Sequence, residues 1–94
     1  MIMFVLVCFD ISDNRVRYRV NKVLQGYGVR VQKSVYECPL LGDAAFRRMR
    51  SAIEKHIHAH TDSVRYYRLC AACIREIRCD GSGMVPDVDS FAVV

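Results

Sequence analysis

The chain has no apolar stretch long enough to cross a bilayer. Its longest, Met1 to Phe9, is about half of the roughly 20 residues that a spanning helix needs. That stretch also lacks a basic start and a small-residue cleavage site, so it does not read as a signal peptide. A cytoplasmic protein with no membrane attachment is expected. No glycine-rich phosphate loop and no helix-turn-helix signature occurs, so nothing in the chain reads base sequence. No spacing supports a Ser-His-Asp or Cys-His constellation. Internal repeats and low-complexity segments are absent too.

Metal-site patterns are incomplete. The five cysteines are Cys8, Cys38, Cys70, Cys73 and Cys79. An odd number in a non-secreted chain reads as reduced thiols rather than a disulfide framework. Cys70 and Cys73 have zinc spacing, but a structural zinc needs two more ligands and there is no second C-x-x-C. Cys38, Cys79 or a histidine would have to supply them. Zinc is therefore not expected, and the cysteines read as buried thiols. A thioredoxin-type redox pair ranks lower still, because that motif belongs between a strand and a helix of a different fold. His56, His58 and His60 resemble a metal cluster, with His56 and His60 at i and i+4. Such residues more often decorate a helix C-terminus, where the partial negative charge favours them.

What is present suits one small domain. Of 94 residues, 52% are hydrophobic, enough for a core, although a domain this small is marginal alone and gains from dimerisation. The net charge is +4, with eleven Arg and three Lys against ten acids. The planar Arg fork is the better phosphate clamp, which favours a polyanionic partner.

The order of elements follows from periodicity. Ile2 to Phe9 is continuously apolar, the pattern of a central strand buried on both faces. Ser12 or Asp13 then caps a helix whose stripe is Val16, Val20, Val23, Leu24 and Tyr27. Gly28 falls where a helix end wants a left-handed residue. Val29 to Cys38 is β-rich but falters at Lys33-Ser34, which predicts a bend, a bulge or two short strands meeting. Pro39 and Gly42 close that segment. Asp43 caps a second helix with an apolar face of Phe46, Met49, Ile53 and Ile57. Ser63 to Cys70 alternates as a strand, and Ile74 to Cys79 reads as a short further one. The fold class is α+β: a ferredoxin-like βαββαβ sandwich, two helices on one face of a four-stranded antiparallel sheet. Residues 1–80 form this domain. Residues 81–94 read as a flexible tail, whose apolar end "FAVV" suggests an extra strand added to a partner's sheet edge.

Two sets of residues carry chemistry. Asp10 ends the apolar strand at the sheet rim. It is either a turn residue accepting backbone N–H bonds or a ligand for a hard cation such as Mg²⁺. One carboxylate is a poor metal site, but two copies facing each other across a two-fold axis would make one. Asp13 is equally a cap. The second set is Arg15, Arg17, Arg19, Lys22 and Arg30, for phosphate. Arg15 and Arg19 are one turn apart, whereas Arg17 lies roughly 160–200° around the helix from them, so the three do not point the same way.

The run "FDISDNRVRYRVNKVLQGYGVRVQKSVYEC" resembles the N-terminal signature of the CRISPR-associated protein two (Cas-two) family, the small partner of the CRISPR integrase. The matching pieces are Phe9-Asp10-Ile11-Ser12, Arg17 and Arg19, Gly28, and Arg30-Val31-Gln32-Lys33-Ser34-Val35-Tyr36. "DSVRYYRLCAAC" resembles the fourth strand of one subgroup, Leu-Cys-x-x-Cys included. The resemblance implies a symmetric homodimer that holds double-stranded prespacer DNA and bridges integrase dimers during spacer acquisition. It also implies, as the alternative, a Mg²⁺-dependent endonuclease acting on RNA or DNA. There Asp10 is the catalytic and metal-binding carboxylate, paired with its symmetry mate. Arg17, Arg19, Arg30 and Tyr36 then fall near that cleft. Phe9 stands where relatives often carry Tyr, which removes a phenol beside the acid.

Overall fold

A computed structural model of the chain describes residues 1–83 and Val85. Seven elements follow in order: β1 (Ile2–Asp10), α1 (Asn14–Gln25), β2 (Val29–Gln32), β3 (Val35–Gly42), α2 (Asp43–Glu54), β4 (Ser63–Leu69) and α3 (Ala71–Arg75). The sheet order is β2-β3-β1-β4 and every neighbouring pair is antiparallel. This is the expected ferredoxin-like α+β arrangement.

Alternation along β1 sorts the molecule into two sides. Met3, Val5, Val7 and Phe9 point into the main core with Val16, Val20 and Leu24 of α1 and Met49 and Ile53 of α2. Phe4, Leu6 and Cys8 point to the other side. Burial on both faces, expected from the apolar run, holds only at one end. Phe4 is buried, but Leu6 and Cys8 are half-exposed. Phe4 and the buried Ile74 lie outside the main core cluster. Phe4 pairs with Leu69, and α3 begins two residues later, so α3 covers that end of the sheet and leaves the rest of the face open. The strand expected at Ile74–Cys79 is replaced by this short helix. Cys70 caps it by accepting from the Cys73 backbone N–H, a local bond that a strand would forgo.

The faltering at Lys33-Ser34 is a two-residue connection between β2 and β3, with a register shift between Arg30 and Gln32 beside it. Pro39 does not close β3 but lies within it. The β1–β3 register shifts between Met3 and Val5, opposite the Pro39-Leu40 step. A bulge there spares the ladder bond that proline cannot donate. Asp43 is not a cap. Gly42 is the N-cap without a side-chain bond, and the Asp43 carboxylate takes the Met1 ammonium at 3.2 Å. The helix ends at Glu54, so His56 and His60 do not share a helical face.

Gly28 also has a different role from the expected one. Among the described residues the only positive φ is at Gly81, and the residue after α1 is Gly26, in right-handed conformation. Gly28 is instead pressed against β3. A side-chain carbon there would collide with the Glu37 carbonyl oxygen and would sit 2.6 Å from Cys38 Sγ. Tyr36, expected near the cleft, is fully buried. Its ring stacks on Phe9 at 6.4 Å and its hydroxyl donates to Asn21 Oδ1 at 3.0 Å. It joins β3 to α1 rather than facing a ligand. The tail segment "FAVV" lies outside the described residues.

Two substitutions test these assignments by thermal or urea unfolding. Gly28→Ala should destabilise the fold by about 1–3 kcal/mol, the usual range for overpacking. Tyr36→Phe should cost about 1 kcal/mol, one buried hydrogen bond, with nucleic-acid affinity unchanged; a loss of affinity in a folded variant would return Tyr36 to the site.

A carboxylate cleft and a cationic helix face

The β1–α1 turn holds two carboxylates with opposite fates. Asp13 caps α1, accepting from Arg15 N at 2.8 Å and Val16 N at 3.1 Å. Its carboxyl is held below the ordinary value by those backbone donors, Val16 first and then Arg15. Asp10, the last residue of β1, is exposed and pairs with Ser63 of β4. Its carboxylate has no hydrogen bond or ion pair among the described residues, so the turn does not consume it. By alternation it stands on the same side as Leu6 and Cys8, at the rim of the open face.

Asp10 lines a cleft of about 160 Å³ with Phe9, Ile11, Arg17, Lys33 and Ser34. Two of the candidate cations shape it. Arg17 is half-buried. It donates from Nη1 to the carbonyls of Ile11 at 3.0 Å and Ser12 at 3.2 Å, and from Nη2 to Asn14 Oδ1. These neutral acceptors hold the turn but leave the guanidinium charge uncancelled beside Asp10. Arg30 donates to the Lys33 carbonyl from Nε at 3.2 Å and Nη2 at 2.7 Å. It fixes the β2–β3 turn that brings Lys33 and Ser34 to the cleft.

The other three face solvent together. Arg15, Arg19 and Lys22 share a side of α1 at i, i+4 and i+7, and all three are exposed or half-exposed. Tyr18 lies among them, 62% exposed, with the Lys22 ammonium 5.6 Å from its ring centroid. The apolar stripe alone gives Tyr18 no role, since it falls off that stripe. The signal that finds it is its spacing, three residues after Arg15 and four before Lys22, which puts an aromatic inside the cationic face. The five candidate cations therefore divide: Arg17 lines the cleft, Arg30 braces the turn beside it, and Arg15, Arg19 and Lys22 share the helix face.

The wider charge balance favours an anion. Fourteen Lys and Arg side chains are present, all within the described residues. Among those residues, only Arg50 and Arg78 sit within ion-pair distance of a carboxylate. Arg50 is 3.8 Å from Glu54 and Arg78 is 3.7 Å from Glu76. The other cations leave a positive field over the surface. A wider groove of about 510 Å³ runs along α2, lined by Arg47, Arg48, Ser51 and Lys55 together with two alanines. It lies away from Asp10 and contains no carboxylate, so it suits phosphate contact and not proton or metal chemistry.

One chain does not fit a divalent cation. Among the described residues no three His, Cys, Asp or Glu side chains converge, and Asp10 stands alone in its cleft. A hard cation needs several oxygen ligands, so a site would require carboxylates from two copies. The thiols are free. Cys38 is buried, and burial pushes its thiol up to about 11. Cys70, Cys73 and Cys79, expected to be buried, are exposed, because the segment carrying them lies beyond the end of β4 rather than under the sheet.

Comparison with known proteins agrees with this architecture. A family model described as CRISPR associated protein Cas2 matches residues 3–77. A CRISPR-associated endoribonuclease Cas2 of Chloroflexus aurantiacus is 41% identical over 90% of this chain and 91% of its own length. One from Moorella thermoacetica is 32% identical over 98% of this chain and 100% of its own. The solved Streptococcus pyogenes Cas2 superposes with a TM-score of 0.76 at 32% identity, covering 84% of this chain and 100% of that one. A chain of a partial Cas6-RT-Cas1–Cas2 complex gives 0.72 at 26% identity, with 82% and 83% covered. With the fold, the family model and most of the chain in agreement, this protein belongs to the CRISPR-associated Cas2 family.

Proposed function

We propose that this chain acts in CRISPR adaptation as a homodimeric scaffold that binds double-stranded prespacer DNA and bridges integrase dimers. The observation that carries the reading is the solvent face of α1. Arg15, Arg19 and Lys22 lie there without ion-paired carboxylates among the described residues, around an exposed Tyr18. Cations at one-turn intervals match a phosphate backbone, which supplies affinity without reading sequence. The α2 groove of Arg47, Arg48 and Lys55 extends the same field. A structural neighbour solved in a Cas1–Cas2 complex supports an integrase partner. A partner of DNA and integrase belongs in the cytoplasm.

The open sheet face supports the dimer. Leu6 and Cys8 of β1, Val29 of β2, Val35 of β3 and Tyr67 of β4 share it by register, with Glu37 and Arg65 as its charged members. Val29 is 62% and Tyr67 42% exposed. Two such faces pressed together would cover the apolar surface and bring the two Asp10 rims towards each other across the axis. Leu6→Glu should then weaken self-association on the order of a hundredfold or more, since it sets a second carboxylate beside its cross-strand neighbour Glu37 inside the interface, and analytical ultracentrifugation should show monomer. A variant that stays dimeric would move the interface elsewhere.

A second reading is a Mg²⁺-dependent endonuclease, favoured by the unpartnered Asp10 in its cleft and by relatives named endoribonucleases. Two Asp10 carboxylates, one from each copy, would hold the ion, which supplies Lewis-acid activation of water and counter-charge for phosphate. This chain's own contribution is Arg17, whose anchored guanidinium would face developing negative charge on the phosphoryl oxygens. RNA and DNA are both admissible substrates for this reading.

One set of variants separates the two. Arg15→Ala with Arg19→Ala should weaken duplex binding. It should also flatten the plot of log K against log salt by about 0.9 for each phosphate that is no longer neutralised. Asp10→Ala should leave duplex binding and spacer acquisition intact while abolishing any Mg²⁺-dependent cleavage. Failure of acquisition in a folded, DNA-binding Asp10→Ala protein would make the nuclease reading the correct one. A duplex affinity that does not change with salt would reject the cationic face as the binding surface.

A further inference from the structure

Cys70 and Cys73 are absorbed by neither reading. They occupy the junction between β4 and α3, an exposed position at the end of a strand and the start of a helix. Their sulfur atoms are hydrogen-bonded at 3.2 Å, and the Cys73 backbone N–H donates to Cys70 Sγ at 3.4 Å. No third metal-binding side chain joins them among the described residues. The two thiols are not equivalent. Cys70 is lowered from its ordinary value by the hydrogen bonds it accepts from the Cys73 backbone and side chain, and Cys73 is raised by the neighbouring Cys70.

We propose that Cys70 and Cys73 form a thiol–disulfide exchange site, with Cys70 as the attacking sulfur, Cys73 as the resolving one and a low-molecular-weight disulfide as the co-reactant. The geometry carries the assignment. The sulfurs are already in contact, so a side-chain rotation takes them to a bond of about 2.05 Å without unfolding either element. Both are open to a small oxidant. The thiolate of Cys70 attacks one sulfur of the disulfide, forming a mixed disulfide and expelling one thiolate. Cys73 then gives up its proton and attacks Cys70 Sγ, expelling the second thiolate. Two protein thiols are oxidised, one external disulfide is reduced to two thiols, and the protons pass to those leaving groups. The product ring spans Cys70 to Cys73. It ties the last residue before α3 to its first turn, one residue from the buried Ile74. The other cysteines differ: Cys38 is buried with a raised thiol, and Cys79 has no sulfur neighbour among the described residues, its Sγ bonding the Asp80 carbonyl at 3.7 Å.

The test uses the full chain, reduced and then titrated with oxidised glutathione, acid-quenched, alkylated in denaturant so that buried Cys38 is also reached, and digested with trypsin. Cleavage after Arg68 and Arg75 releases residues 69–75 with both sulfurs in one peptide. The expected result is loss of two of the five alkylatable thiols. Peptide 69–75 should be recovered lighter by two hydrogens while Cys38 is still alkylated, and dithiothreitol should reverse the change. In Cys73→Ser, glutathione should remain attached at Cys70. In Cys70→Ser, the adduct at Cys73 should form more slowly. The proposal is overturned if the wild-type chain keeps a lasting glutathione adduct on either residue. It is equally overturned if it forms interchain disulfides instead of the internal ring, or if Cys79 is consumed before the pair.

Discussion

β1 hydrogen-bonds along both edges, to β3 on one side and β4 on the other, and its alternation decides what every other element faces. Odd-numbered residues turn to the helices and even-numbered residues turn away. Asp10 is even-numbered and terminal, so one strand supplies side chains to the core, the centre of the open face and the cleft carboxylate. A slip of one residue would exchange those roles. The apolar run alone would tolerate that slip; Asp10 opposes it, because the slip would carry its carboxylate to the core side, where an unpaired charge is costly.

The turn after β1 divides labour between two acids three residues apart. Asp13 meets the orphan N–H groups of α1, which frees Asp10 of any local duty. Arg17 gathers two carbonyls of the same turn and so keeps its charge at the mouth of the cleft. Structural and chemical roles are thus assigned to different side chains within one short segment. A carboxylate without local partners and an anchored cation beside it is an arrangement suited to phosphate or metal.

Much of this is legible in the sequence, because periodicity reports burial. The stripes of α1 and α2 and the alternation of β4 correspond to the observed packing. The errors fall where local bonds compete with pattern. Ile74–Cys79 looks β-like, but the Cys70 cap turns the chain into a helical turn first. Pro39 reads as a stop, yet a bulge accommodates it inside β3. Gly28 looks like a left-handed helix end, and its real constraint is the nearness of β3, which no local pattern reveals. Chain position gathers the candidate cations, but their separation into a cleft residue, a turn brace and a helix-face trio depends on carbonyl acceptors of two turns. The resemblance places Tyr36 near the cleft, and it does stack on Phe9 of the cleft wall; that Asn21 satisfies its hydroxyl inside the core is visible only in the fold.

The join between β3 and α2 contains no linker: the strand ends at Gly42 and the helix starts at Asp43. Chain direction therefore reverses with almost no slack. The row of Arg47, Arg48 and Lys55 inherits that rigidity at the level of its backbone. A polyanion meeting it would have only side-chain freedom to quench, not the motion of a loop, so little configurational entropy stands against the encounter.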